Sequence, residues 1–142
     1  MRVLLITFSF LVFSGILYSL FGPSQRLIGN LPYHISTPLL ILLLKNIDFI
    51  EDMHFMFQKE VAERITAKPN TKSYGAVSVL TQYLCDVSIV LNVPATAFFP
   101  MPEVESSVVM LRPKSDADKR LALYSKLELV CNSLFNHRRK MI

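Results

Sequence analysis

The sequence predicts an α/β chain: part of a doubly wound sheet of mixed direction, whose last two strands form an antiparallel hairpin, followed by a long helix. Three observations lead there. Strand-like apolar runs alternate with helical periods across residues 25–84, which implies a sheet with a parallel portion. Two β-branched runs between residues 87 and 111 are joined by a Pro-rich stretch without a helical pattern, so they can pair antiparallel. An amphipathic pattern then runs towards the C-terminus.

Each element has a local reason. Gln25-Arg26-Leu27-Ile28-Gly29-Asn30 is a short apolar run that stops at Gly and Asn, a strand ending in a turn. Thr37 offers an N-cap with Pro38 at the first helical position, and the apolar residues 39–44 carry that helix to about Asn46. Residues 53–57 read as a second buried strand. Residues 58–68 return to a helical period, with Val61 and Ile65 on one face and Glu60 four positions before Arg64. A loop at residues 69–73 precedes a helix striped by Val77, Leu80 and Leu84. Residues 87–93 and 107–111 are the two hairpin strands, separated by the Pro-rich residues 94–102. Leu123, Leu127, Val130 and Leu134 mark the apolar stripe of an amphipathic last helix that runs into Arg138-Arg139-Lys140.

Composition narrows the function classes. Half of the 142 residues are apolar (51%), 18% are charged and mean hydropathy is +0.38, which excludes an intrinsically disordered chain. Cys85 and Cys131 lie far apart without C-x-x-C spacing, and His34, His54 and His137 are scattered. No disulfide framework or metal site is expected, and free thiols fit a reducing, cytoplasmic compartment. Net charge is +4, distributed as +2 over residues 1–29, −3 over 30–111 and +5 over 112–142. A basic C-terminal piece beside an acidic middle suggests a polyanion on one side, although a solvated helix face has the same signature.

Residues 3–21 carry no charge and follow Arg2. As one helix they would span roughly 28 Å, a bilayer's hydrocarbon core. The start also resembles the first regions of a signal peptide, without an A-x-A cleavage site. A buried strand and helix of a soluble sheet is a third reading, and residues foreign to the domain that follows are a fourth.

Two short stretches carry chemistry. Asn30-Leu31-Pro32-Tyr33 stands at the carboxyl end of the first predicted strand, where open α/β sheets place their ligands. The Asn30 side-chain oxygen and the Leu31 carbonyl can both accept from an exocyclic amine, and Tyr33 offers a flat face for a ring. An Asn-x-Pro-Tyr turn is also simply a turn. Phe98-Phe99-Pro100-Met101-Pro102 is a loop stiffened by prolines, so Phe98 would be held in place and could close over a base opposite Tyr33. An ordinary connection with Phe98 and Phe99 plugging the core is the alternative.

Taken together and in order, these stretches carry a resemblance. Residues 27–40, LIGNLPYHISTPLL, resemble motif IV of the KsgA/RsmA family of rRNA adenine N6,N6-dimethyltransferases. Residues 56–65 (MFQKEVAERI), 74–79 (YGAVSV) and 98–106 (F-x-P-x-P-x-V-x-S) are similar to its following segments, and residues 135–140 (FNHRRK) to the opening of its C-terminal helical domain. Five motifs in the right order cover about residues 24–142.

The resemblance implies the later strands of a Rossmann-like methyltransferase sheet followed by the start of an all-α domain. It implies S-adenosylmethionine as cofactor and adenine N6 of small-subunit (16S) rRNA, within a 30S precursor, as substrate. By analogy Asn30 and Leu31 hold N6, Pro32 shapes the corner, Tyr33 and Phe98 clamp the ring, and Asn30 also touches the cofactor. Arg138, Arg139 and Lys140 would contact rRNA phosphates. No metal is needed.

There are departures. The family's Gly-rich loop and its acidic cofactor ligands are not matched, for residues 1–23 contain no acid and Gly15 and Gly22 do not make the loop. The expectation is therefore a truncated form with little activity alone. Residues 1–21 lie outside the family fold, as frame-shifted sequence or as an anchor, and only in the second case would a membrane be a partner. Residues 22–114 form the second half of the catalytic domain, and 115–142 the first helix of a truncated RNA-binding domain. A membrane-anchored or RNA-binding remnant without transferase activity is the alternative.

Overall fold

The computed structural model describes residues 3–6 and 25–137, and their strands form one five-stranded sheet. The strands are β1 (Val3–Ile6), β2 (Gln25–Asn30), β3 (Ile50–Gln58), β4 (Cys85–Val93) and β5 (Ser106–Pro113), in spatial order β1-β2-β3-β5-β4. β1, β2 and β3 are parallel; β5 runs antiparallel to both β3 and β4. The mixed sheet with a closing antiparallel hairpin is the expected arrangement. Edge strand β4 carries a register shift between Ile89 and Leu91, an irregularity of the kind that blunts a sheet edge.

β1 bears on the uncharged N-terminal run. Val3 to Ile6 pair in register with Arg26 to Gly29, so these four residues are a strand and one continuous membrane helix over residues 3–21 is not what they form. The remaining expectations for residues 7–21 lie outside the described residues, as do those for Arg138, Arg139 and Lys140. Among the described residues no helix is long and apolar enough to cross a membrane.

Period-two alternation builds the core. Met53, Phe55 and Phe57 point to one face of β3 and are completely buried, with Val109 and Leu111 beside them on β5. Phe55 and Phe57 meet edge to face with centroids 6.4 Å apart. Four helices supply most of the rest of that core: α1 (Ser36–Leu44), α2 (Lys59–Thr66), α3 (Ala76–Leu84) and α4 (Ala117–His137). On the opposite face Asp52 is buried but satisfied, with Arg26 Nε 2.9 Å from one carboxylate oxygen and Nη2 2.9 Å from the other.

The helices differ from expectation in two places. α1 starts at Ser36, so Thr37 lies inside the first turn and is no N-cap. The cause is a 3-10 turn over Tyr33–Ile35 that leads straight into the helix, with Ser36 Oγ donating to the Tyr33 carbonyl at 3.1 Å. At the other end Asn46 Nδ2 donates to the Leu42 carbonyl at 2.8 Å, closing the helix where anticipated.

In α4 the expected stripe faces outward. Leu123, Val130 and Leu134 are exposed, and only Leu127 of the four packs on the core. The buried face is Ala117, Tyr124 and Cys131, at seven-residue spacing. Small Ala and Cys let the helix approach closely around one large aromatic ring, which outweighs the more numerous leucines of the other face. Glu128 anchors the same side through Lys45 of the α1 end at 2.8 Å.

α2 and α3 lock together through polar groups. Gln82 Nε2 donates to the carbonyls of Ile65 (2.9 Å) and Ala67 (2.8 Å), satisfying the C-terminal end of α2. The buried Ser78 hydroxyl donates to the Arg64 carbonyl and accepts from the Gly75 amide. The Glu60–Arg64 ion pair forms as its spacing requires.

Candidate functional site: a cleft at the strand tips

The topology dictates where the two chemical stretches meet. β2 and β3 are parallel, so their carboxyl ends share one edge of the sheet, with Asn30 opposite Met56. β5 runs antiparallel to β3 and places its first residue, Ser106, opposite Gln58 at that same edge. The loop that precedes β5 must therefore land over the tip of β2.

It does. Asn30, Leu31, Pro32 and Tyr33 form one wall of a cleft of about 360 Å³, and Phe98, Phe99, Pro100 and Pro102 form the other. All five residues singled out for recognition of a base, Asn30, Leu31, Pro32, Tyr33 and Phe98, thus line a single hollow. A larger hollow of about 580 Å³ lies in the helix layer between α2, α3 and the end of α4. The smaller one is the better candidate, because it stands at the carboxyl ends of the strands and gathers acceptors with aromatic rings.

Each wall is held. Leu31 is buried (1% exposed) and anchors the corner in the core, while Asn30 is exposed. The Asn30 side chain makes no hydrogen bond to the described residues, which leaves its oxygen free to accept. Pro32 is extended, and its carbonyl accepts from the Ile35 amide at 3.2 Å, starting the 3-10 turn that carries Tyr33. The Tyr33 hydroxyl lies 2.9 Å from the Ser106 hydroxyl, across to the first residue of β5.

The second wall is pinned at both ends. A 3-10 turn at Ala95–Ala97 closes with Phe98 N donating to the Ala95 carbonyl at 3.2 Å. The Phe99–Pro100 peptide is cis. Beyond the prolines, Lys59 N donates to the Glu105 carbonyl (2.9 Å) and Lys59 Nζ pairs with the Glu105 carboxylate (3.0 Å). The Glu105 hydrogen bond and charge hold the Lys59 ammonium above its ordinary value.

Ser106, Lys59 and Glu105 were not anticipated as supports of the site. Ser106 and Glu105 stood inside the quoted loop segment and Lys59 inside the quoted strand–helix segment, but their pairing across the chain left no local signal. Chemically, the cleft gathers the Asn30 and Leu31 acceptors with the side chains of Tyr33 and Phe98 in a stiff frame. Among the described residues no group of three His, Cys, Asp or Glu side chains could hold a metal ion.

The chain is similar to known proteins along most of its length. The family model for ribosomal RNA adenine dimethylase matches residues 21–142. The ribosomal RNA small subunit methyltransferase A of Legionella pneumophila (strain Lens) is 51% identical over 122 residues, covering 86% of this chain and 48% of that protein. The protein of the same name from Mannheimia succiniciproducens is 50% identical over 121 residues, covering 85% and 42%. The chain thus spans about half the length of the curated relatives it matches, or less. Among solved structures, a dimethyladenosine transferase from Plasmodium falciparum superposes with a TM-score of 0.73 at 31% identity, covering 78% of this chain and 40% of that one. The 23S rRNA methyltransferase ErmE superposes at 0.58 with 20% identity, covering 73% and 44%, a likeness of fold alone. The sheet is thus the later part of a Rossmann-like methyltransferase sheet, and the chain belongs to the ribosomal RNA adenine dimethylase family.

Proposed function

We propose that this chain carries the adenine-recognising half of an S-adenosylmethionine-dependent enzyme that dimethylates adenine N6 in small-subunit rRNA, and that it has little transferase activity alone. The observation that supports the recognition half is the single cleft shared by the Asn30–Tyr33 corner and the Phe98 loop. An adenine leaves its stack at a cost of about a few kcal/mol, least in a single-stranded loop. Its amino group donates to Asn30 Oδ1 and the Leu31 carbonyl, and Tyr33 and Phe98 take the two faces of the ring. Held in this way, the amine has its remaining freedom removed, which is the protein's main contribution to such a transfer.

The cofactor half is a different matter. S-adenosylmethionine would supply the methyl group, and Asn30 is the residue of this chain that would touch it, by the resemblance of its corner to motif IV. Residues 1–30 contain no Asp or Glu, so the segment leading to the corner offers no carboxylate to the cofactor's ribose or adenine. The residues present fit the acceptor base and not the donor. Arg138, Arg139 and Lys140 would add phosphate contacts to rRNA of a 30S precursor, consistent with a cytoplasmic location.

Two titrations test the reading. Fluorescence anisotropy with a single-stranded oligouridine RNA bearing one adenosine should show tighter binding than with inosine in its place. Inosine presents a carbonyl to two acceptors, and a discrimination of about tenfold or more is expected. Equal affinities would remove the amine-gripping role. Calorimetry with S-adenosylmethionine should show no micromolar binding, and such binding would overturn the claim of low activity.

A further inference from the structure

Phe99 is the most exposed large apolar side chain among the described residues, at 101% of its reference area, and it sits on the rim of the cleft immediately after Phe98. Phe98 is half-buried and extended (φ −114°, ψ 149°), a conformation in which consecutive side chains diverge. Both residues line the cleft, Phe98 as the more enclosed ring and Phe99 as the one fully open to solvent. Met101 and Val104 are exposed further along the same loop. The frame is stiff: Pro100 and Pro102 restrict the backbone, the turn at Ala95–Ala97 holds one side, and Lys59 with Glu105 holds the other. An apolar ring held out in water on a rigid mount, beside a hollow for a base, is arranged as a stacking platform.

We propose that Phe99 stacks against the nucleobase next to the adenosine that enters the cleft. The inference rests on the function proposed above and extends its substrate from one base to two consecutive nucleotides of single-stranded RNA. A phenyl ring has no hydrogen-bonding group, so the platform accepts any base by its face and adds affinity without sequence preference. Ordering the neighbour also fixes the backbone on one side of the flipped nucleotide, which favours entry of the adenine.

The test is a cycle of protein and RNA changes read by anisotropy. The protein is wild type, Phe99→Ala or Phe99→Tyr. The RNA is the oligouridine with one adenosine, intact or with an abasic site immediately 5′ or 3′ of that adenosine. Wild type should lose about tenfold in affinity for one of the two abasic RNAs. Phe99→Ala should lose the same factor on intact RNA and nothing further on that abasic RNA, while Phe99→Tyr should bind like wild type. Independent, multiplying losses would overturn the platform. So would a Phe99→Ala variant that binds every RNA like wild type, an outcome pointing to a protein contact at this tip. Replacing the adenosine itself by an abasic site separates the two ideas: if that change has no effect, the base-cleft reading fails, whereas coupling lost only at the neighbour removes the platform alone.

Discussion

The hydroxyls of Tyr33 and Ser106 lie 2.9 Å apart, although 73 residues separate them in the chain. That bond ties the ring on one wall of the cleft to the strand that follows the opposite wall. Ser106→Ala should leave the fold intact and cost about 1 kcal/mol in urea unfolding, the usual net value of such a bond. RNA affinity should fall several-fold, because Tyr33 loses its fixed orientation. Tyr33→Phe should match it, and an unchanged affinity in both variants would show that the bond does not set the ring.

Lys59 and Glu105 make a second cross-chain tie, but an exposed one, and solvent screens it. Lys59→Met should therefore leave the melting temperature unchanged while weakening RNA binding several-fold, because the end of the Phe98 loop loosens. The backbone bond from Lys59 to Glu105 survives the substitution and prevents a complete loss. A large fall in melting temperature with unchanged binding would reverse these roles.

Burial pushes the Cys85 thiol up from 9.0 to about 12, with Asp86 adding to the effect. The folded state thus holds this proton more tightly than the unfolded chain. Its stabilising contribution is complete below about pH 9 and is lost progressively as pH rises towards 12. Urea midpoints should fall across that window, and Cys85→Ala should flatten the fall. In the native chain at pH 8 a thiol reagent should leave Cys85 unmodified until urea is added, and rapid modification without urea would contradict the assignment.

Phe55 is buried completely and packs edge to face on Phe57 at the centre of β3. Phe55→Ala should cost about 3–5 kcal/mol, enough to unfold a marginal domain. Phe55→Leu keeps much of the volume and should retain a cooperative transition in urea.

Much of this arrangement was legible in the residues, for identifiable reasons. The short apolar run at residues 53–57 marked the central strand, and in the fold its Met53, Phe55 and Phe57 alternate into the core. The prolines around Phe98 marked a stiff loop, and the antiparallel hairpin that carries it followed from the lack of a helix between the last strands. Other features were illegible because they depend on tertiary choice. α4 has two apolar stripes, and only the approach allowed by Ala117 and Cys131 decides which one is buried. Thr37 and Pro38 spell a helix start, yet the 3-10 turn at Tyr33–Ile35 moved that start upstream. The bond between Tyr33 and Ser106 exists only once β2, β3 and β5 have paired.

The proposed function requires Tyr33 and Phe98 to share one adenine. A double-mutant cycle measures this directly, with wild type, Tyr33→Ala, Phe98→Ala and the double variant titrated against the oligouridine RNA bearing one adenosine. Two rings on opposite faces of one base should be coupled, so the double variant should lose clearly less than the product of the two single losses. Losses that simply multiply, with melting temperatures unchanged, would place the rings on different nucleotides and contradict the account.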